Sequence, residues 1–279
     1  MSGRTLVLCL ATAALLGAPV LAQVREAESG PADAAAPTPA AGGAPAAVDR
    51  NNRRLFERFI EDAAVVPGGW IEGRYVYSNL SDGSTHFAGP LIAFKVVKDL
   101  EAGITFGFLD LHPGSGPQNS GLSDIDLYAR CRLPGAGPGR FALGARLKSP
   151  TGDESKNLGT GKSDFEVFGA FRADLEAVTL VADIGARDNG DPGSSLPEAK
   201  NSLLAGGGIL LPASPRLTLS IEATWESTRV EGAGSDARLT VGVQSFGPAR
   251  HGGFRGAVAV PLSKDAPDLG IILGAFYTY

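Results

Sequence analysis

From Gly69 to Tyr279 the chain alternates apolar and polar residues in stretches of about nine to twelve, each bounded by turn residues. The stretches are Gly69–Asn79, Phe87–Lys98, Glu101–Asp110, Leu122–Leu133, Arg140–Ser149 and Ser163–Ala173. The second half gives Ala177–Arg187, Leu203–Leu211, Arg216–Ser227, Ala237–Phe246, Gly253–Leu262 and Leu269–Tyr279. About twelve such segments predict an all-β fold, an antiparallel transmembrane β-barrel. An even count brings both barrel ends to one side of the membrane.

The connections alternate as well. KDLE, PGAGPG, DLEA, PASP and GPARHG are short, whereas the set that includes HPGSGPQNSG, PTGDESKNLGTGK and DNGDPGSSLPEAKN is longer and more polar, with SDGSTH, VEGAGSD and SKDAPD. Short turns on one side and longer loops on the other are what outer-membrane barrels show, the longer ones outside the cell. The last strand ends on Tyr279, with Tyr277 and Leu273 on the same face, which resembles the C-terminal signal read by barrel-insertion machinery. Before the first strand, Leu55, Phe56, Phe59, Ile60 and Ala63 have the spacing of a short amphipathic helix. Such a helix could sit at the periplasmic mouth, plug it in part, or pack as an N-terminal element; the last is the preferred expectation.

The ends then supply the compartment. Arg4, the apolar run Thr5–Ala18 and the small-residue site Val20-Leu21-Ala22 form a secretory signal-peptide pattern over residues 1–22. Residues 23–50 are rich in Ala, Pro and Gly and read as a flexible periplasmic leader, leaving 51–279 for the barrel. Of the two cysteines, Cys9 lies in the signal and only Cys131 follows, so no intramolecular disulfide is expected. The net charge of −5 argues against nucleic acid as a partner. Gly 38 and 7% aromatics suit a glycine-tolerant sheet.

The polar faces carry charges in register. Asp124, Asp126, Arg130 and Arg132 share one face, as do Arg146 and Lys148, then Asp164, Glu166 and Arg172, then Asp183 and Arg187. Folding the hairpins about their turns is expected to set Arg146 between Asp126 and Glu166, and Lys148 between Asp124 and Asp164, with Arg187 beyond. Opposite charges across a strand pair stabilise by about 0.2–1 kcal/mol. On the lipid side each Arg or Lys at mid-membrane would cost about 2–4 kcal/mol. The charged face therefore lines the lumen, which is expected to be wet. Ile125, Leu127, Phe141, Leu143, Leu147, Phe165, Val167, Phe171, Val178, Leu180 and Ile184 face lipid.

GTGKS, Gly159–Ser163, has the end of a phosphate-binding loop, but the position of its leading glycine is Lys156 and both flanks alternate like strands. It fits another pattern. GLSDIDLYARCRL, FALGARLKSPTGD and LGTGKSDFEVFGAF are similar to motifs of the outer-membrane family of the MetA pathway of phenol degradation. The matching positions are Gly121, Leu122, Asp124, Lys148, Pro150, Thr151, Gly152, Asp153, Leu158, Gly159, Thr160, Gly161 and Asp164. The resemblance covers about Leu91–Arg187. It implies an outer-membrane channel related in architecture to channels for fatty acids and aromatic hydrocarbons, with small, poorly soluble compounds as cargo.

The leading function is thus a passive outer-membrane channel, with lipid, small-molecule cargo and the insertion machinery as partners and no cofactor. A closed structural or adhesion barrel is the alternative. A lipid- or peptide-acting barrel enzyme is disfavoured, because His86, His112 and His251 lie in connections without a recognisable Ser/Asp spacing. DNGD, Asp188–Asp191, lacks the ligand spacing of a calcium loop and reads as a turn; no metal is expected.

Overall fold

A computed structural model of the chain describes residues 48–135, 137–190 and 199–279. The expected signal peptide and most of the leader, residues 1–47, lie outside the described residues. The barrel belongs to the unit Val48–Tyr279.

Its strands are β1 (Gly69–Leu80), β2 (Gly83–Val97), β3 (Leu100–Thr105), β4 (Phe108–Pro113), β5 (Asn119–Leu122), β6 (Ile125–Arg132) and β7 (Gly139–Ser149). After them come β8 (Asp164–Asp174), β9 (Thr179–Asp188), β10 (Ser202–Ser214), β11 (Leu217–Glu226), β12 (Asp236–Phe246), β13 (Gly252–Pro261) and β14 (Leu269–Thr278). β3 and β4 both pair with β2 in a single register, Leu91↔Thr105 and Ala88↔Phe108, and form one interrupted stave. β5 and β6 form the next, pairing with β4 and β3. Twelve antiparallel staves result, and β1 pairs with both β2 and β14, so the barrel closes. Closure matters because no water is present in the hydrocarbon to satisfy an open strand edge. Tyr279 completes the seam: its carbonyl accepts from the Gly69 N–H at 2.8 Å, and its own N–H donates to Gly69 at 3.2 Å.

Alternation decides the two faces. Leu127, Phe141, Leu143, Leu147, Phe165, Val167, Leu180, Ile184, Leu273 and Tyr277 are exposed on the outside, where lipid replaces water. At Ser123–Asp124 the stave between β5 and β6 holds an extra residue, and Ser123 donates its N–H to the Gly107 carbonyl at 2.9 Å. That irregularity lets Leu122 face outwards while Asp124 points inwards only two positions later.

Two expectations change. The SDGSTH connection is a hairpin: β2 begins at Gly83 and only residues 81–82 turn the chain. Asp82-Gly83 is a strong hairpin signal and Ser84 and Thr85 continue the alternation. The β6–β7 register also differs by two residues, with Asp126 opposite Lys148 and Arg146 opposite Tyr128. A slip of two keeps every side chain on its face, so the apolar pattern cannot detect it. The Pro/Gly-rich sequence PGAGPG does not constrain it either.

Leu143 lies near the middle of β7 on the lipid face. Leu143→Arg is expected to cost about 2–4 kcal/mol, read as a lower urea midpoint for the heat-modifiable band in liposomes.

Candidate functional site

The interior holds a segment of the chain itself. Residues 53–66 carry no regular helix, and only a 3-10 turn at Arg50–Asn52 precedes them. Leu55, Phe56, Phe59, Ala63, Ala64 and Val66 are buried inside the barrel, together with Arg54, Arg58, Glu61 and Asp62. The amphipathic helix expected there does not form, and the segment fills the barrel rather than serving as a peripheral packing element. The reason lies in its backbone. A main-chain N–H or C=O buried from water must find a partner, and here the wall supplies it. Glu222 accepts from the N–H groups of Phe56 at 2.5 Å and Glu57 at 2.7 Å. Arg130 donates to the carbonyls of Phe59 at 2.7 Å and Ile60 at 2.6 Å, and Arg255 to that of Leu55 at 2.7 Å. Glu101 accepts from Val66 N–H at 2.7 Å, and Gln244 accepts from Arg54 N–H while donating to the Asn52 carbonyl.

Charge pairs fasten the same segment. Asp62 lies 2.7 Å from the Arg172 guanidinium and 3.4 Å from that of Arg54. Glu61 pairs with Arg146 at 2.7 Å, and Arg58 with Asp183 at 3.4 Å. Phe59 is covered by Arg54, whose Cζ stands 4.2 Å from the ring centroid, and packs beside Trp70. Trp70 stacks on Phe276 at 4.4 Å. Small inward residues, Ala93, Ala142 and Ala170, leave room for this cluster.

Every residue of the expected charge ladder except Asp126 stands in an ion pair. Arg146 bridges Glu61 and Glu166 (3.7 Å), instead of Asp126 and Glu166. Lys148 reaches Asp164 at 2.6 Å and Asp124 at 3.6 Å. Arg187 joins Glu166 at 2.7 Å to Glu226 at 2.9 Å. Arg172 also meets Asp174 at 3.2 Å, Arg130 pairs with buried Glu101, and Arg132 pairs with Asp99 beside the short 98–99 turn. The wet lumen expected from the sequence gives way over the segment's length to paired, buried charges. Beyond it a cavity of about 160 Å³ remains, floored by Glu57, Arg58 and Glu61 and walled by Arg146, Arg187, Arg229 and Arg238.

Sequence reasoning missed Glu72, Arg74, Glu101, Glu222, Glu226, Gln244 and Arg255. They obey the same alternation as the ladder, so extending that test to every strand would have found them. The segment announced itself too: RRLFERFIED, Arg53–Asp62, is too charged for lipid and too apolar for a leader.

The motif residues form a second cluster at the other end of β7. The Asp124 carboxylate accepts from Gly152 N–H at 2.9 Å. A β-carbon at Gly159 would lie 2.3 Å from that carboxylate, which requires glycine. Thr151 donates to the Ser123 carbonyl at 3.2 Å, and Leu158, folded over Gly121, is buried. Thr160 accepts from Lys148 at 3.2 Å, Gly161 turns with φ of 67°, and Pro150 opens the loop after β7. The Ser155 hydroxyl donates to Asp153 and holds that carboxyl below its usual range. Lys162 and Ser163 lead into a strand, not a helix.

Of the histidines, His86 lies in β2 and His112 in β4 rather than in connections, hydrogen-bonded to Tyr75 and Asp110 at 2.8 Å, while His251 lies in the 247–251 turn. Asn189 of DNGD donates to the Lys200 carbonyl at 2.6 Å, and Asp191 lies outside the described residues. Among the described residues no group of three His, Cys, Asp or Glu side chains could hold a metal ion, and no helix is long and apolar enough to cross a membrane.

The sequence matches no family model and no curated protein. Solved structures do match. The COG4313 outer membrane channel from Pseudomonas putida F1 superposes with a TM-score of 0.61 at 16% identity, over 78% of this chain and 98% of that one. The fold is that of a twelve-stranded outer-membrane β-barrel. That relative belongs to the same group of channels to which the motifs between Gly121 and Asp164 point. The barrel is also similar to the NanC porin, with a TM-score of 0.56 at 8% identity over 75% of this chain and all of that one (100%). The KdgM porin gives 0.52 at 11%, over 75% and 99%.

Asp62 touches two arginines, all three side chains being fully buried, and removing one partner of such a cluster costs about 3–5 kcal/mol. Asp62→Ala is expected to free residues 48–66 for protease cleavage while the strands stay resistant, read by mass spectrometry of the digest.

Proposed function

We propose that this chain is an outer-membrane channel for the passive passage of small apolar or aromatic molecules, closed at rest by Val48–Val66. The observation that carries this reading is the way the segment is held. It is bound by side chains from many staves through polar contacts, so it can leave without dismantling the wall, whose hydrogen bonds run from strand to strand. Both ends of the segment lie by the short turns: Arg50 donates to the Leu175 carbonyl at 2.7 Å, and Gly68 directly precedes β1. It enters as a loop and can withdraw the same way.

Once it is withdrawn, Asp124, Asp126, Arg130, Arg146, Lys148, Asp164, Glu166, Arg172, Asp183 and Arg187 would line the path. The short turns and the leader then belong to the periplasm, and the 150–163 loop to the outside. The strand ending at Tyr279 is the element for the insertion machinery, and lipid covers the outer face. Paired charges along the path suit uncharged cargo, which need not compete with fixed ions. A closed structural barrel is the second reading, favoured by the complete burial of Arg54 and Asp62.

The purified protein in planar bilayers tests these readings. Asp62→Ala is expected to raise conductance several-fold over wild type. Unchanged conductance from a variant whose segment is protease-accessible would favour the structural barrel. Orientation is tested separately: Ser155→Cys is expected to react with an impermeant maleimide on whole cells, and protection there would invert the topology.

A further inference from the structure

Every residue from Asn52 to Ile60 gives at least one main-chain group to a side chain of the barrel wall. The Asn52 carbonyl and the Arg54 N–H meet the two ends of the Gln244 amide. Arg172 donates to the Arg53 carbonyl at 3.2 Å, and Arg255 to that of Leu55 at 2.7 Å. Glu222 accepts from three N–H groups in a row, Phe56 at 2.5 Å, Glu57 at 2.7 Å and Arg58 at 3.4 Å. Arg130 completes the track on the carbonyls of Phe59 and Ile60. These five side chains stand on β6, β8, β11, β12 and β13, so the track exists only once the wall has formed.

Main-chain groups are the same in every peptide. Where side chains of a protein read them, the main chain supplies affinity and side-chain pockets supply preference. Such pockets are present here: Phe56 lies among Val76, Ala257 and Ile272, and Arg58 stands 3.4 Å from Asp183. Those contacts set a preference, whereas the track sets the class. When the segment leaves, Glu222, Arg130, Arg172 and Arg255 lose these partners. A buried polar group left unpaired is costly. An uncharged apolar molecule offers them neither donors nor acceptors, but a peptide restores both in the same order.

We propose that the track formed by Gln244, Arg172, Arg255, Glu222 and Arg130 is a binding site for oligopeptides, and that Asn52–Ile60 occupies it as a tethered stand-in. The ligand is recognised by its unspent N–H and C=O groups, with a large apolar residue favoured at the place of Phe56. The inference requires that the segment can leave the wall, and it does not require that anything crosses the membrane. Peptide binding and segment seating exclude one another, so a peptide favours the unseated state by mass action.

The test uses the full chain in detergent and fluorescein-labelled synthetic peptides, read by fluorescence anisotropy. The first probe has the sequence of Asn52–Ile60, NRRLFERFI. It is expected to bind Asp62→Ala, whose segment is loosened, at least about tenfold more tightly than wild type. Equal affinity would put it outside the lumen and overturn the proposal. N-methylation of its fifth and sixth residues removes the N–H groups that face Glu222, and should weaken binding at least about tenfold, because hydrogen bonds to charged groups are among the stronger ones. The second probe, SSSSFSSSS, keeps the main chain and one apolar ring, and should show a similar loss on methylation. A loss confined to the first probe would mean that the wall reads its own segment alone, and would overturn the class. Adding Glu222→Ala to Asp62→Ala should abolish the methylation effect in both probes. Parent and methylated peptides compete with the same tethered segment, so any change in its seating cancels from their ratio. An undiminished effect would overturn the track. Conductance of Asp62→Ala is read in parallel. Methylation-sensitive binding without conductance supports the peptide site and refutes the channel, and conductance without such binding does the reverse.

Discussion

A stretch of chain without a regular helix is held inside this barrel by the side chains of Glu222, Arg130, Arg255, Glu101 and Gln244. That one constraint, the satisfaction of buried main-chain groups by wall side chains, organises the interior. It explains why carboxylates and guanidinia point inwards from staves all round the barrel, and why so many are buried. It also explains why the segment forgoes a helix, since a helix would satisfy those groups internally and leave the wall charges without partners.

The balance of forces differs between the wall and its contents. The staves are bonded side to side in a closed ring, and a large apolar face meets lipid. Breaking the ring at any stave exposes a row of backbone groups to hydrocarbon, so the wall behaves as a single unit. The contents rest on charge pairs such as Arg172–Asp62 and Arg146–Glu61, which gain little net free energy against water although breaking one partner is costly. Near-balance of that kind allows an element to be firmly seated and still exchangeable. Leu55, Phe56 and Phe59 add apolar contacts with the wall, Phe56 with Arg255 above its ring.

The motif residues answer a different need. Asp124, Gly152, Gly159 and Lys148 tie the 150–163 loop to the top of the wall beside an irregular stave. Ser123 and Gly107 restore the hydrogen bonding that the extra residue interrupts. The cluster fixes a loop and a bulge together, and it contributes no group to the segment below.

Strand identity, the lipid-facing row and the inward row were legible in the sequence because side chains alternate with a period of two, and that period survives any tertiary arrangement. Lys148 opposite Asp164 and Arg146 opposite Glu166 could be read for the same reason, given one turn length. The β6–β7 pairing could not, since a two-residue slip leaves both faces unchanged and Tyr128 serves opposite Arg146 as well as Asp126 would. Nor could the place of RRLFERFIED. Its apolar spacing is that of a helix, and local propensity contains no term for a carboxylate contributed by Glu222 from 166 residues away. What fills the barrel was decided only when twelve staves closed around a space whose polar walls needed partners.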